Sequence, residues 1–422
     1  MLDRSLSPEF KVPEDFELRH PERFSLDNGI PVFYYPTPGI DAVKIEITCR
    51  RQREKLPLEQ TLLPSFTLQM LLEGTKHKSA AEIANILDFH ASEISPILTF
   101  GREGLSILST KKHIFSVLDL LIELIHSPSF PEDMLIKRKS QRKLSIQLDR
   151  EKTNARAGQL FRKALFGPSH PYGFEIDSQQ VDIISQEKLR FYADQLLWQG
   201  TEVFITGNFT KENLNDVFDY LNQVPNKSIL EGVVLPESNS LEQIYEQREN
   251  AVQSSLRLGY FSIPKNHPDF ISLTVFNTIL GGYFGSRLIK NIREDKGHTY
   301  GIYSGLAEIG NSNYWVISAD VQKAHHRNVI HEIHHEIDRL IHEPLEMDEL
   351  ETVRNYQIGQ MLGRFSSAFD LMDRFRAVYH SDLELSFYAE KLEFLKRFTA
   401  DEVMKTGEKY FKNSPLIEVI VG

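Results

Sequence analysis

A single cysteine, Cys49, stands in the chain's 422 residues, so no intrachain disulfide and no cysteine-rich metal site can form. A reducing compartment fits that count. Long apolar runs are missing as well, and none approaches the ~20 residues needed to span a bilayer. Positive charge is in deficit, with 48 Lys and Arg against 59 Asp and Glu, a net charge of −11 and a pI near 5.8. That balance argues against nucleic acid as the main partner, because phosphate binding needs a basic face. A basic run does exist at Lys137, Arg138, Lys139, Arg142 and Lys143. It lies in a helix-like stretch and reads as a solvated face. The opening MLDRSLSPEFKVPEDFE is polar, acidic and early in prolines. It lacks a basic head followed by an apolar stretch, so no signal peptide and a cytoplasmic location are expected.

What is present is ordinary globular material, 41% hydrophobic and 25% charged, enough for more than one sizeable core. The chain also repeats itself. LDLLIELIHSPSFPEDML is followed later by HHEIDRLIHEPLEMDEL, and Pro344 comes 216 positions after Pro128. The same offset pairs Leu124-Ile125-His126 with Leu340-Ile341-His342, and Glu202-Val203 with Glu418-Val419. One offset holding over matches so far apart is the signature of a duplicated unit. The Pro-, Asn- and Ser-rich stretch around 222–240 reads as the join. The expected organisation is a first domain over 1–225, a linker over 226–240 and a second domain over 241–422.

Strands are expected at Val32–Tyr35, after the turn-like Asn28-Gly29, and at Val43–Thr48, with helices at 58–72, 80–88, 112–126, 131–149, 153–166 and 186–196. The second half reads as strands near 251–261, 300–309 and 313–321. Its helices are expected near 267–280, 285–294, 323–342, 346–362, 366–379 and 399–411. Thr399 and Glu402 have the spacing of a capping box. Strands and helix pairs in blocks give an α+β class, two homologous domains each with a mainly antiparallel sheet and helices packed on one face.

Several stretches resemble the pitrilysin/insulinase family of metallopeptidases, the inverzincins, and most closely its processing-peptidase branch. They are QMLLEGTKHKSAAEIANILD, SPSFPEDML and KALFGPSHPYG in the first half, and LGGYFGSRLIKNIREDKGHTYGIYSG in the second. The resemblance implies the metalloenzyme fold shared by LuxS and the processing peptidases. It also implies where the chemistry would lie. Active members carry His-x-x-Glu-His on the helix that runs into Met-Leu-x-x-Gly-Thr. Zinc wants three protein ligands and an open position for water, and the Glu takes that water's proton. Anchored on Met70 and Gly74-Thr75, Ser65 and Gln69 fall at the His positions and Leu68 at the Glu position. The distal Glu ligand should fall near Ser145–Gln147, where no acid stands, although Asp149 and Glu151 are close by. No metal is therefore expected in this chain, no residue of it is expected to be catalytic, and zinc is expected in a partner subunit.

A second constellation survives. The family's substrate-facing Arg and Tyr, seven residues apart, match Arg293 and Tyr300. A guanidinium and a phenol could grip a peptide carbonyl or the oxyanion formed from it. Taken alone, a structural ion pair for Arg293 and a strand-face packing role for Tyr300 are the commoner fates of such residues, and the surrounding pattern reverses those odds. His331, Glu332 and His335 spell His-Glu-x-x-His, but the helix's apolar stripe of Ile330, Ile333, Ile337, Leu340 and Ile341 turns both imidazoles off the core face. Gly281, Gly282 and Gly285 read as a turn between packed helices. His170 reads as a hydrogen-bonded structural histidine.

Three functions follow. The first is a non-catalytic subunit of a heterodimeric zinc metallopeptidase. In it the partner is a zinc-bearing homologous chain and this one holds the peptide through Arg293 and Tyr300. The second is a scaffold or assembly subunit with no role in proteolysis. The third is a self-sufficient zinc protease using His331, Glu332 and His335.

Overall fold

The computed structural model describes residues 17–51, 53–230, 243–412 and 414–422. The expected linker falls largely on 231–242, outside the described residues. Strands β1 (Glu22–Ser25), β2 (Pro31–Pro36), β3 (Ala42–Arg50), β4 (Glu93–Leu98), β5 (Arg102–Thr110) and β6 (Glu202–Gly207) form one sheet, in the order β1-β2-β6-β3-β5-β4. Strands β7 (Gln243–Glu246), β8 (Gln253–Phe261), β9 (Thr299–Ile309), β10 (Ser312–Gln322) and β11 (Ile417–Val421) form a second, in the order β7-β11-β8-β10-β9. With β1 set aside the two orders superpose strand for strand. In each sheet one pair is parallel, β2 with β6 and β7 with β11, while every other pair is antiparallel. The duplication read from the 216-residue offset is thus a repeated topology.

The helices of the first half are α1 (Leu63–Leu71), α2 (Ala80–Phe89), α3 (Ile114–His126), α4 (Glu132–Glu151), α5 (Thr153–Phe166), α6 (Ser178–Asp182), α7 (Gln186–Phe191) and α8 (Lys211–Leu221). Those of the second are α9 (Phe270–Asn277), α10 (His326–His342), α11 (Met347–Leu362), α12 (Ala368–Tyr379), α13 (Ser386–Arg397) and α14 (Ala400–Tyr410). Helix α3 starts without a side-chain cap but buries Val117, Leu118, Leu121, Leu124 and Ile125. Its apolar stripe, not its ends, holds it in place. Its counterpart α10 does the same with Val329, Ile333, Ile337, Leu340 and Ile341. Helix α14 begins with the expected capping box of Thr399 and Glu402. Three segments are π-helical: Tyr192–Leu196, Thr278–Gly282 and Ile289–Asp295. The expected helices at 267–280 and 285–294 correspond to α9 with its π-helical continuation and to the third π segment. Strands β1, β4, β5 and β7 and helices α6, α8 and α13 were not anticipated from the sequence.

Each sheet has one face against its own helices. The other face of each receives a helix from the opposite half. Helix α5 lies across β8 and β11, where Phe161 meets Tyr314 at 5.8 Å and Phe166 meets Phe261 at 5.2 Å between ring centroids. Helix α12 lies across β2 and β6, where Phe375 and Tyr379 meet Phe33 at 4.9 and 4.7 Å. These two helices are equivalent in the repeat, so the halves cover one another reciprocally. Charge ties both seams. Arg156 bridges Glu175 and Glu246, each at 2.8 Å, and Glu202 takes Arg102 and His380, each at 2.9 Å.

Candidate functional site

Helix α1 carries the positions where active relatives of this fold hold a metal. Ser65 donates its hydroxyl to the carbonyl of Leu62 at 2.9 Å, which also accepts from the Phe66 N–H at 3.1 Å. Leu68 is fully buried in the first core. Gln69 accepts a hydrogen bond from Arg138 Nη1 at 3.1 Å, and the same guanidinium pairs with Glu73. A hydroxyl engaged by its own helix, a leucine and an amide bonded to a guanidinium do not suit a zinc ion. Opposite, on α4, Ile146 is buried and Ser145 reaches Asp149 at 3.4 Å. The basic run on α4 is also not one solvated face. Arg138 points inward and is 26% exposed, while Lys143 pairs with Asp182 at 2.5 Å. Arg138 does there what a bound cation would otherwise do, neutralising and orienting the groups on α1.

The second constellation sits on the edge of the other sheet. Arg293 belongs to the π-helical segment Ile289–Asp295, and that segment packs against β9. Such wide turns occur mostly as single-turn insertions and are frequent at functional sites. This one is stapled to α10. Asn291 Nδ2 donates to Glu336 at 2.6 Å and to Glu332 at 3.0 Å, and Lys296 donates to Asn291 Oδ1 at 2.7 Å. The chain then reverses at Gly297, whose φ of +63° lies in the left-handed region that a side chain disfavours. Arg293 makes no ion pair among the described residues. Its guanidinium instead lies 4.7 Å from the centroid of Phe284, a ring that is itself 61% exposed.

Tyr300 follows on β9. The β9–β10 register slips between Ala319 and Val321, so Tyr300 and Gly301 together oppose Asp320. The bulge is pinned by Thr299, whose hydroxyl donates to the carbonyl of Asp320 at 2.6 Å and accepts from the Gly301 N–H at 3.1 Å. Bulges re-aim side chains, and this one leaves Tyr300 88% exposed. Tyr303, three residues on, is 53% exposed. Neither an ion-paired Arg293 nor a packed Tyr300 describes what is there. Sequence reasoning missed Phe284 and Thr299. Phe284 lies within the family-like stretch of the second half, and a threonine two residues before a glycine, with a tyrosine between them, is a weak bulge signal.

His331 and His335 are both exposed on α10, and the acid between them is engaged elsewhere. Glu332 bonds Lys296 at 2.5 Å as well as Asn291, and the Lys296 ammonium holds its carboxyl below the usual range. Among the described residues no three His, Cys, Asp or Glu side chains converge so as to hold a metal ion. Gly281 is needed for close approach. A Cβ there would come within 2.7 Å of Ser304 Oγ and 2.9 Å of its backbone nitrogen. His170 is buried and accepts from the Tyr172 N–H at 3.1 Å.

The two sheets repeat one topology, and α1 presents a serine, a leucine and an amide where the sequence resemblance put the metal site. Residues 185–356 match the family described as the peptidase M16 inactive domain. A Bacillus subtilis protein named "Uncharacterized zinc protease YmxG" is 23% identical over 84% of this chain and 86% of its own length. A Helicobacter pylori protein named "Non-peptidase homolog YmxG" is 22% identical over 65% of this chain and 64% of its own. The crystal structure of a peptidase M16 inactive domain from Pseudomonas fluorescens superposes with a TM-score of 0.82 at 19% identity, covering 95% of this chain and 98% of that one. Over residues 185–356 the chain resembles the peptidase M16 inactive domain, and its fold is that of the solved Pseudomonas structure. No helix among the described residues is long and apolar enough to cross a membrane.

Proposed function

We propose that this chain is the peptide-holding, non-catalytic subunit of a two-chain zinc metallopeptidase, working in the cytoplasm with a homologous partner that supplies the metal. The observation that carries the reading is Tyr300, a large aromatic side chain left 88% exposed by a pinned bulge on an edge strand, beside the π segment that bears Arg293. An extended peptide can add to the edge of β9 by main-chain hydrogen bonds. The phenol and the guanidinium then offer donors to one of its carbonyls, and to the oxyanion that forms when the partner's activated water attacks. Dividing the work between chains is chemically sound, since the reaction needs a nucleophile and a positioned carbonyl but not from one polypeptide.

The test is reconstitution with the homologue from the same genome that retains His-x-x-Glu-His. Cleavage of a quenched fluorescent peptide is expected from the mixture and from neither chain alone. Arg293→Ala and Tyr300→Phe are each expected to lower turnover in the mixture by about 10²-fold, the usual loss for an oxyanion-stabilising donor. Unchanged turnover with both variants would leave a scaffold role. Chelator-sensitive cleavage by the isolated chain, lost in His331→Ala, would replace the proposal with a self-sufficient protease.

A further inference from the structure

Four cationic side chains gather in the second half, away from Arg293 and Tyr300: Lys265 after β8, Arg364 between α11 and α12, Arg374 in α12 and Lys391 in α13. Contacts among their carriers bring them together. The Lys265 ammonium donates to the carbonyl of Ala377 at 2.8 Å and lies 5.6 Å from the centroid of Phe387. The Tyr388 hydroxyl donates to the carbonyl of Arg374 at 3.0 Å, and its ring packs edge-on to Phe365, next to Arg364, at 5.0 Å. Lys391 lies one helical turn beyond Phe387 and Tyr388, on the same side of α13.

Opposite charge is scarce there. Among the described residues Arg364, Arg374 and Lys391 make no ion pair. Two carboxylates are within electrostatic reach. Glu308 acts on Lys265, and Arg374 acts on Asp370, which is already bonded by the hydroxyls of Ser366 at 2.8 Å and Ser367 at 2.7 Å. Burial first, then mutual repulsion among Arg364, Lys265 and Arg374, pushes Lys391 down to about 8. Burial likewise pushes Lys265 down to about 8, with Glu308 opposing and Arg374 adding to the shift. Lys265, Arg374 and Lys391 are half-buried, with Arg364 exposed beside them; like charges held there without a paired counter-ion are costly, and an anion seated among them removes that cost.

We infer that Lys265, Arg364, Arg374 and Lys391 form a binding site for a compact oxyanion of two or more negative charges, carried by a phosphate or polycarboxylate group. Guanidinium forks and ammonium point charges recognise both groups. An isolated basic patch on a chain of net charge −11 suits a small anion better than a nucleic-acid polymer. The site is independent of the peptide-holding role.

Isothermal titration at pH 7.5 and low salt, with pyrophosphate and citrate in separate runs and sodium chloride at matched ionic strength as reference, tests the assignment. One or both anions are expected to bind one per chain, with a dissociation constant below about 1 mM. Proton uptake should accompany binding, seen as a dependence of the heat on the buffer's ionisation enthalpy. Binding of pyrophosphate alone would identify a phosphate-bearing ligand, and of citrate alone a polycarboxylate. Lys391→Met keeps the apolar stem and is expected to weaken binding about tenfold or more. It should also raise the melting temperature of the free chain. Lys405→Met, at an exposed position on α14, should leave affinity unchanged. Heats no larger than those of sodium chloride, or a Lys391→Met affinity within about twofold of the parent, would overturn the site.

Discussion

Replacing Glu103 by glutamine should flatten the chain's stability between pH 5 and pH 8. Glu103 lies on β5 with none of its surface exposed. One carboxyl oxygen accepts from the Tyr192 hydroxyl at 2.6 Å, and the other has no partner. Burial pushes its pKa from 4.5 up to about 7, against the opposing pull of the Tyr192 hydrogen bond and of Arg51. The folded pKa is therefore raised above the unfolded one. The folded chain keeps a proton that the unfolded chain gives up, so stability is fully present below pH 4.5 and is lost as pH rises toward 7. At about 1.4 kcal/mol per pKa unit the whole loss is about 3 kcal/mol, of which about 2.5 falls between pH 5 and pH 8. Glutamine resembles the protonated acid and cannot ionise. Any fixed cost of its amide is the same at every pH and cancels in the comparison. Urea unfolding of parent and variant at pH 5, 6, 7 and 8, followed through the buried Trp198 of the first half, measures the difference. The variant should gain on the parent by about 2.5 kcal/mol across that range. Parallel curves would refute the buried, protonated carboxyl.

Two further outcomes are expected. Arg138→Met strands Glu73, whose side chain is 14% exposed, and should cost about 3 kcal/mol. Adding Glu73→Gln should recover most of it, and a double-mutant cycle with no coupling would show that Arg138 does not stand in for a cation on α1. Phe375→Ala removes the ring that meets Phe33 at 4.9 Å and should cost about 3–5 kcal/mol. Hydrogen exchange should speed up in β2 and β6, and a change confined to α12 would contradict the reciprocal cover.

The repeat was legible because a buried helix face leaves a periodic mark: the Leu-Ile-His ends of α3 and α10 and the Glu-Val pairs within β6 and β11 survive as matching letters. Ser65, Leu68 and Gln69 could be assigned to the metal positions of the resemblance only because Met70 and Gly74-Thr75 fix the register of that helix. Strand order was not legible, because nothing local tells β6 to lie between β2 and β3. Nor could spacing say that α5 and α12 cover the opposite half's sheet. Their apolar stripes look like those of any surface helix, and the partner is chosen by contacts far along the chain. The π segments also escaped. A wide turn in the helix ladder reads as ordinary helix from its residues, yet it sets where Arg293 emerges. Helix α13 buries Phe387, Tyr388, Leu392 and Leu395, a helical pattern that was present in the sequence and went unread.

The exchange of α5 and α12 ties the sheet of each half to a helix of the other. If the first half unfolded, β8 and β11 would lose the cover of α5, exposing Phe261, Tyr314, Val419 and Val421, which pack with Phe161 and Phe166 in a shared apolar cluster. The π segment and the bulge that present Arg293 and Tyr300 stand on that same sheet. Ser65, Leu68 and Gln69 lie on α1, outside that shared cluster, and Glu73, one turn beyond Gln69, is paired with Arg138. The first half thus supports the sheet that carries β9 through the packing of α5 on β8 and β11.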